Sequence, residues 1–161
     1  SNYRMARETL LDRLPVTEDS VFPIPVEAPS PREAALAYER TLRGLFPDSG
    51  FPAFDLVLLG LGADGHTASL FPGGPECEER SRWCLASRAP EGAAVRERVT
   101  LTLPVLNAAR AVAFLVTGED KRNVLQALLS PRTTGRLPAQ RVQSARELYL
   151  FTDLLRLPQS G

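Results

Sequence analysis

The spacing of hydrophobic positions changes along the chain, and each change marks an element. Near the start, Met5, Leu10, Leu11 and Leu14 recur at helical spacing, which predicts a helix over residues 2–14 with Ser1 or Asn2 as N-cap and Pro15 as its stop. VFPIPV, residues 21–26, is apolar and β-branched but carries Pro23 and Pro25, so it reads as an edge strand or an extended connector. Ser30-Pro31-Arg32-Glu33 is a capping box with proline at the first helical position. Ala35, Tyr38, Leu42 and Leu45 then fall on one face, predicting a helix to about Phe46.

Beyond a turn rich in proline and glycine, the period shortens. Phe54 to Leu59 is a continuous apolar run of strand length, the pattern of a central strand buried on both faces. The segment after Phe71, PGGPECEERSR, is polar and reads as a surface loop. Residues 98–103 alternate, with Val99, Leu101 and Leu103 on one side and Arg98, Thr100 and Thr102 on the other, so a half-exposed strand could turn its polar face to a ligand. Pro104 opens a short helix, AVAFLV (111–116) is a second buried-type strand, a helix follows Thr117-Gly118 with Val124, Leu125 and Leu128 as its apolar face, and LYLF (148–151) is a last strand. Strands alternating with helices predict an α/β fold, a mostly parallel, Rossmann-like sheet flanked by helices.

Length and charge narrow the classes of function. At 161 residues the chain reads as a single domain, 1–161. Lys+Arg and Asp+Glu are equal at 19 each, so no overall field attracts nucleic acid or an anionic membrane, and any anion must be held locally. No apolar run approaches the roughly 18 residues that cross a bilayer. Cys77 and Cys84 lack partner histidines and metal-ligand spacing, and read as free thiols of a reducing, cytoplasmic compartment. That spacing argues against a metal site. SNYRMARETL lacks an initiator methionine and has mid-helix character, so further residues are expected before Ser1.

Candidate chemistry gathers where the first buried strand ends. Gly60, Gly62 and Gly65 lie at a strand's carboxyl end, where α/β sheets place ligands, although such turns also serve tight packing. Within this turn sits His66, the one histidine in the chain and a residue suited to general acid or base work. Asp64 could orient its imidazole or a water, or close an Asx-type turn. Lys121, the one lysine, stands in the first turn of a helix, where the macrodipole disfavours a cation. A bound anion would remove that conflict, and so would Glu119 or Asp120. Arg98 could fork onto a phosphate, with Arg96 as its competitor. With no GxSxG elbow and no histidine beside either cysteine, a base acting on water or a proton shuttle on a sugar fits better than a side-chain nucleophile.

FDLVLLGLGADGHTASLFPG, RVTLTLPVLNAARAVAFLVTGEDKR and LPAQRV closely resemble the signature segments of 6-phosphogluconolactonases, and SNYRMARETLL resembles the helix preceding them. The resemblance implies a fold of the glucosamine-6-phosphate isomerase/deaminase-like superfamily and hydrolysis of 6-phosphoglucono-δ-lactone in the oxidative pentose phosphate pathway, with no cofactor. It implies His66 as the base activating water, Asp64 beside it, Arg98 and Lys121 on the substrate phosphate, and the Gly60 to Gly65 turn near the sugar. The chain resembles the carboxyl-terminal two-thirds of such an enzyme: the family's first βα units, with a glycine-rich loop and an Asp-Glu-Arg segment, have no counterpart here, and LYLFTDLLRL departs from the family's ending. The alternatives are a glucosamine-6-phosphate isomerase or deaminase, and a phosphosugar-binding module without catalysis.

Overall fold

The computed structural model describes residues 2–130, 136–144 and 146–154. Its elements are α1 (Asn2–Thr9), α2 (Pro31–Leu45), β1 (Leu56–Gly60), β2 (Cys84–Arg88), β3 (Glu97–Leu101), α3 (Leu103–Ala108), β4 (Ala111–Val116), α4 (Arg122–Leu129) and β5 (Glu147–Thr152). β1, β4 and β5 form a parallel sheet in the order β1-β4-β5, while β2 and β3 pair antiparallel in a separate two-stranded sheet.

The first helix is shorter than its periodicity predicts. α1 ends at Thr9, a 3₁₀ turn over Leu11–Arg13 follows, and α1 buries no residue. Ser1 lies outside the described residues. VFPIPV is an extended connector, since both prolines remove ladder donors. α2 begins as its capping box requires: the Ser30 side chain accepts from the Glu33 amide at 3.2 Å, and Pro31 occupies the first turn.

The apolar face predicted for α2 forms, with Tyr38 packed beside Ala35 and Leu42, but it also admits a charge. Ala35 and Leu42 are buried, but Leu45 is 44% exposed and the charged Glu39 lies inside instead. Its Oε1 accepts from Arg43 Nη2 at 2.8 Å; its Oε2 accepts from Arg82 Nε at 2.8 Å and from the amides of Trp83 and Cys84 at 3.3 and 3.4 Å. Burial pushes this carboxyl up, but the hydrogen bonds from Arg43 and Arg82 outweigh it and hold it below the usual carboxylate range. The Arg43 guanidinium also lies 4.3 Å from the Trp83 ring centre. Glu39 therefore rivets α2 to β2, around a core of Ala35, Leu42, Trp83, Cys84 and Val105. A second, larger core fills the space between the parallel sheet and its helices, with Leu59, Val112, Phe114 and Val116 facing Leu103, Leu106, Val124 and Leu125.

Two expectations need correction. Cys84–Arg88 is a strand that the sequence pattern did not reveal. β1 is not buried on both faces: Leu59 is covered, but Leu56, Leu58, Leu115, Tyr149 and Phe151 are each between 43% and 58% exposed. The in-register pairs Leu58↔Ala113↔Tyr149 and Gly60↔Leu115↔Phe151 put these residues on one side of the sheet. Among the described residues, α3 and α4 pack on the other side, so this apolar face is exposed there, unlike the two-sided cover usual for parallel strands. Cys77 and Cys84 are buried free thiols.

Glu39→Gln keeps shape but weakens the hydrogen bonds that the carboxylate accepts, and is expected to lower stability by about 2 kcal/mol, read by urea unfolding through the single tryptophan, Trp83. An unchanged midpoint would show that the rivet contributes nothing. Glu79 gives a pH signature: the amides of Arg82 and Ser81 and the Ser81 hydroxyl hold its carboxyl down at about 2. Because the folded value is depressed below the unfolded one of about 4.3, its stabilisation is complete above that pH and is lost as pH falls toward the folded value. The stability gap between wild type and Glu79→Gln should accordingly close across that acid window, and a gap constant down to its lower limit would refute the assignment.

Candidate active site

β1 ends at Gly60 and the chain turns sharply. Gly62 donates its amide to the His66 carbonyl at 2.8 Å, and Gly65 donates to the Gly62 carbonyl at 2.9 Å. Within this turn Asp64 fills both roles left open by the sequence, through one oxygen. Oδ1 accepts the His66 backbone amide at 3.1 Å, closing the turn, and lies 2.6 Å from His66 Nδ1. Burial pushes the Asp64 carboxyl up, but the His66 amide and ring outweigh burial and lower it. An ionised carboxylate at that distance fixes the proton on Nδ1, leaving Nε2 with its lone pair and without a partner among the described residues. The imidazole is about one-third exposed and packs against Phe71, ring centres 4.7 Å apart.

The two inner glycines are required for different reasons. A Cβ at Gly62 would lie 2.0 Å from His66 Nδ1 and 2.6 Å from Asp64 Oδ1, so the pair occupies the space a side chain would take. Gly65 has φ +86° and its missing Cβ would strike Leu137 at 2.7 Å. Gly60 has open space where a Cβ would be, and its carbonyl accepts from Thr67 Oγ1 at 2.8 Å.

Lys121 reaches the same end of the sheet. Gly60 pairs with Leu115, so the loops leaving β1 and β4 are neighbours, and Lys121 follows Gly118 in a 3₁₀ turn that leads into α4. Asp120 offsets it, Oδ2 to Nζ 3.2 Å, whereas Glu119 is taken by Arg122. The sequence left that choice open. Arg98 lies on β3, beside Ser87 of β2, on the face that receives the loop after His66. Its Nε donates to the Val95 carbonyl at 3.1 Å, and its terminal nitrogens have no partner among the described residues. No hydrogen bond or ion pair joins Arg98 or Lys121 to His66 there. Arg96, the competitor, stands 3.9 Å from Glu91.

Sequence reasoning missed the parts that brace this loop. The Ala139 amide donates to the Gly65 carbonyl at 3.2 Å, bringing the LPAQRV turn under the glycines. Thr67, Ser69, Thr100 and Thr102 are buried; only the strict alternation of Thr100 and Thr102 hinted at an occupied polar face. Two clefts open elsewhere, one beside Tyr3, Arg7 and Leu11, the other between Gly73, Glu78, Arg136 and Arg141, and His66 lines neither. Among the described residues no three His, Cys, Asp or Glu side chains gather as metal ligands, and no helix is long and apolar enough to cross a membrane.

A carboxylate-oriented histidine on a glycine turn, at the carboxyl end of a parallel strand, is the candidate site of this α/β fold. The chain belongs to the family of glucosamine-6-phosphate isomerases and 6-phosphogluconolactonases, which matches residues 1–150. It is 46% identical over 143 residues to human 6-phosphogluconolactonase, covering 89% of this chain and 55% of that protein. To the Synechocystis 6-phosphogluconolactonase it is 40% identical over 156 residues, covering 95% of this chain and 63% of that protein. The structure of 6-phosphogluconolactonase from Trypanosoma cruzi superimposes with a TM-score of 0.79 at 30% identity, covering 96% of this chain and 64% of that one. The chain thus spans less than two-thirds of the length of these relatives.

Gly62→Ala tests the local geometry. The added methyl displaces the imidazole from Asp64, and the Nδ1 proton should lose its protection from solvent exchange in NMR spectra. A retained, slowly exchanging Nδ1 proton would contradict the packing described.

Proposed function

We propose that this chain carries the hydrolytic site of a 6-phosphogluconolactonase, acting on 6-phospho-D-glucono-1,5-lactone, and reads as one domain of that enzyme. The observation that carries the proposal is the His66–Asp64 pair at 2.6 Å, with Nε2 unpartnered among the described residues, in a chain similar along most of its length to named 6-phosphogluconolactonases. His66 Nε2 takes a proton from water as the water oxygen attacks the lactone carbonyl carbon. The carbonyl π electrons move to oxygen, giving a tetrahedral oxyanion. Its collapse breaks the bond from that carbon to the ring oxygen, which receives the proton, and 6-phosphogluconate results. Asp64 stabilises the imidazolium formed between these steps. Lys121 and Arg98 hold the phosphate, and the Gly60, Gly62 and Gly65 turn lets the sugar approach the backbone. The free thiols favour a reducing, cytoplasmic setting.

The family also holds isomerases of glucosamine 6-phosphate, in which a similar histidine would move a proton between carbons. The third reading is a phosphosugar-binding module. One set of assays separates them: turnover of the lactone, ammonia release from glucosamine 6-phosphate, and binding of 6-phosphogluconate. Accelerated lactone hydrolysis is expected. Ammonia release without it would establish the isomerase or deaminase, and binding without turnover would establish the module. Within the lactonase, His66→Ala should lower kcat by about 10²- to 10⁴-fold with little loss of binding. Lys121→Ala or Arg98→Ala should chiefly raise KM, by about 10- to 100-fold. Full activity of His66→Ala would end the mechanism.

A further inference from the structure

The loop after His66 contains a backbone conformation that needs support. Ala68 has φ +50°, the left-handed region, which costs an L residue roughly 1–2 kcal/mol. It is the one non-glycine residue with positive φ among those described, and it lies two positions from the histidine. Both neighbours are fixed. Thr67 Oγ1 donates to the Gly60 carbonyl at 2.8 Å, and the Thr67 carbonyl accepts the Leu70 amide at 2.9 Å. Ser69 is gripped from the other sheet: its amide donates to Thr100 Oγ1 at 3.1 Å, and its carbonyl accepts from Ser87 Oγ at 2.5 Å.

The proton directions in that grip are determined. Thr100 Oγ1 donates to the Leu101 carbonyl at 2.9 Å, so its lone pair is left to accept the Ser69 amide. Ser87 stands opposite Arg98, and Leu85 opposite Thr100, so the two hydroxyls are diagonal neighbours on one face of the β2–β3 ladder. Both are nearly inaccessible, Thr100 at 3% and Ser87 at 5%, and an unbonded hydroxyl there would be costly. The histidine loop is thus held between two sheets, beyond β1 by the Gly62 amide on the His66 carbonyl and by Thr67 on Gly60, and through Ser69 by Thr100 and Ser87 from the hairpin. Arg98 is two residues from Thr100 on the same strand face.

We propose that the Thr100 and Ser87 hydroxyls are positioning groups: by clamping the Ser69 peptide they hold Ala68 in its left-handed conformation and fix His66 relative to Arg98. In its kinetic form the proposal rests on the lactonase reading given above; in its structural form it does not. Thr100→Val preserves shape and removes the acceptor. It should lower kcat for the lactone by about 10- to 100-fold and cost the His66 Nδ1 proton its sharp resonance, with Thr100→Ser restoring both. Because His66 is the only histidine, the imidazole signal is unambiguous, and Trp83, the only tryptophan, reports folding. A folded Thr100→Val with wild-type kcat and imidazole spectrum overturns the proposal. If wild type does not hydrolyse the lactone, the functional reading fails while the imidazole spectrum still decides the clamp. Should Thr100→Val not fold, Ser87→Ala removes the other half of the bracket and is judged by the same imidazole criterion.

Discussion

The bare backbone at Gly62 is the constraint on which the site depends. Any side chain there would occupy the volume in which the Asp64 carboxylate meets the His66 ring, and the Gly62 amide is also what ties the far end of the turn back to the strand through the His66 carbonyl. One residue thus supplies both closure and clearance. The consequence is electrostatic. A carboxylate 2.6 Å from Nδ1 can stabilise a charged imidazole, and the Phe71 ring on the other side keeps part of the ring's surroundings apolar. The glycines that look like a ligand-cradling signature therefore act first within the protein, at Gly62 on the histidine and at Gly65 on Leu137.

The turn would be poorly defined if β1 alone carried it. Its bracing comes from three directions: Thr67 to the end of β1, Ala139 to Gly65, and the hairpin hydroxyls to Ser69. The hairpin is in turn fixed to α2 by Glu39, whose carboxylate takes the amides that open β2. A chain of polar contacts therefore runs from α2 through β2 and β3 to the histidine loop. Such contacts are costly when incomplete.

Much of this order was legible in the sequence because it rests on local rules. The capping box at Ser30, the apolar runs of β1 and β4, and the glycine turn with its histidine each express a constraint within a few residues. What was not legible depends on distant partners. β2 hides because CLASR mixes small, polar and charged residues, and its strand character comes from pairing with β3. Nothing near Glu39 in the sequence marks it as buried, because Arg82 and the Trp83 and Cys84 amides reach it from across the fold. Asp120 rather than Glu119 beside Lys121 follows from Arg122 claiming the glutamate, a choice made by side-chain reach.

The open face of the parallel sheet gives the remaining step. β1 has the composition of a strand covered twice, yet helices cover it once, and Leu56, Leu58, Leu115 and Phe151 meet solvent. By the ordinary cost of exposed apolar area, about 25 cal/mol per Å², that face is unfavourable as it stands. The same sheet carries the Gly60 turn and the Lys121 loop at its carboxyl end. The helices that complete the described core lie on the side away from that face, and the matches leave more than a third of each of these relatives uncovered.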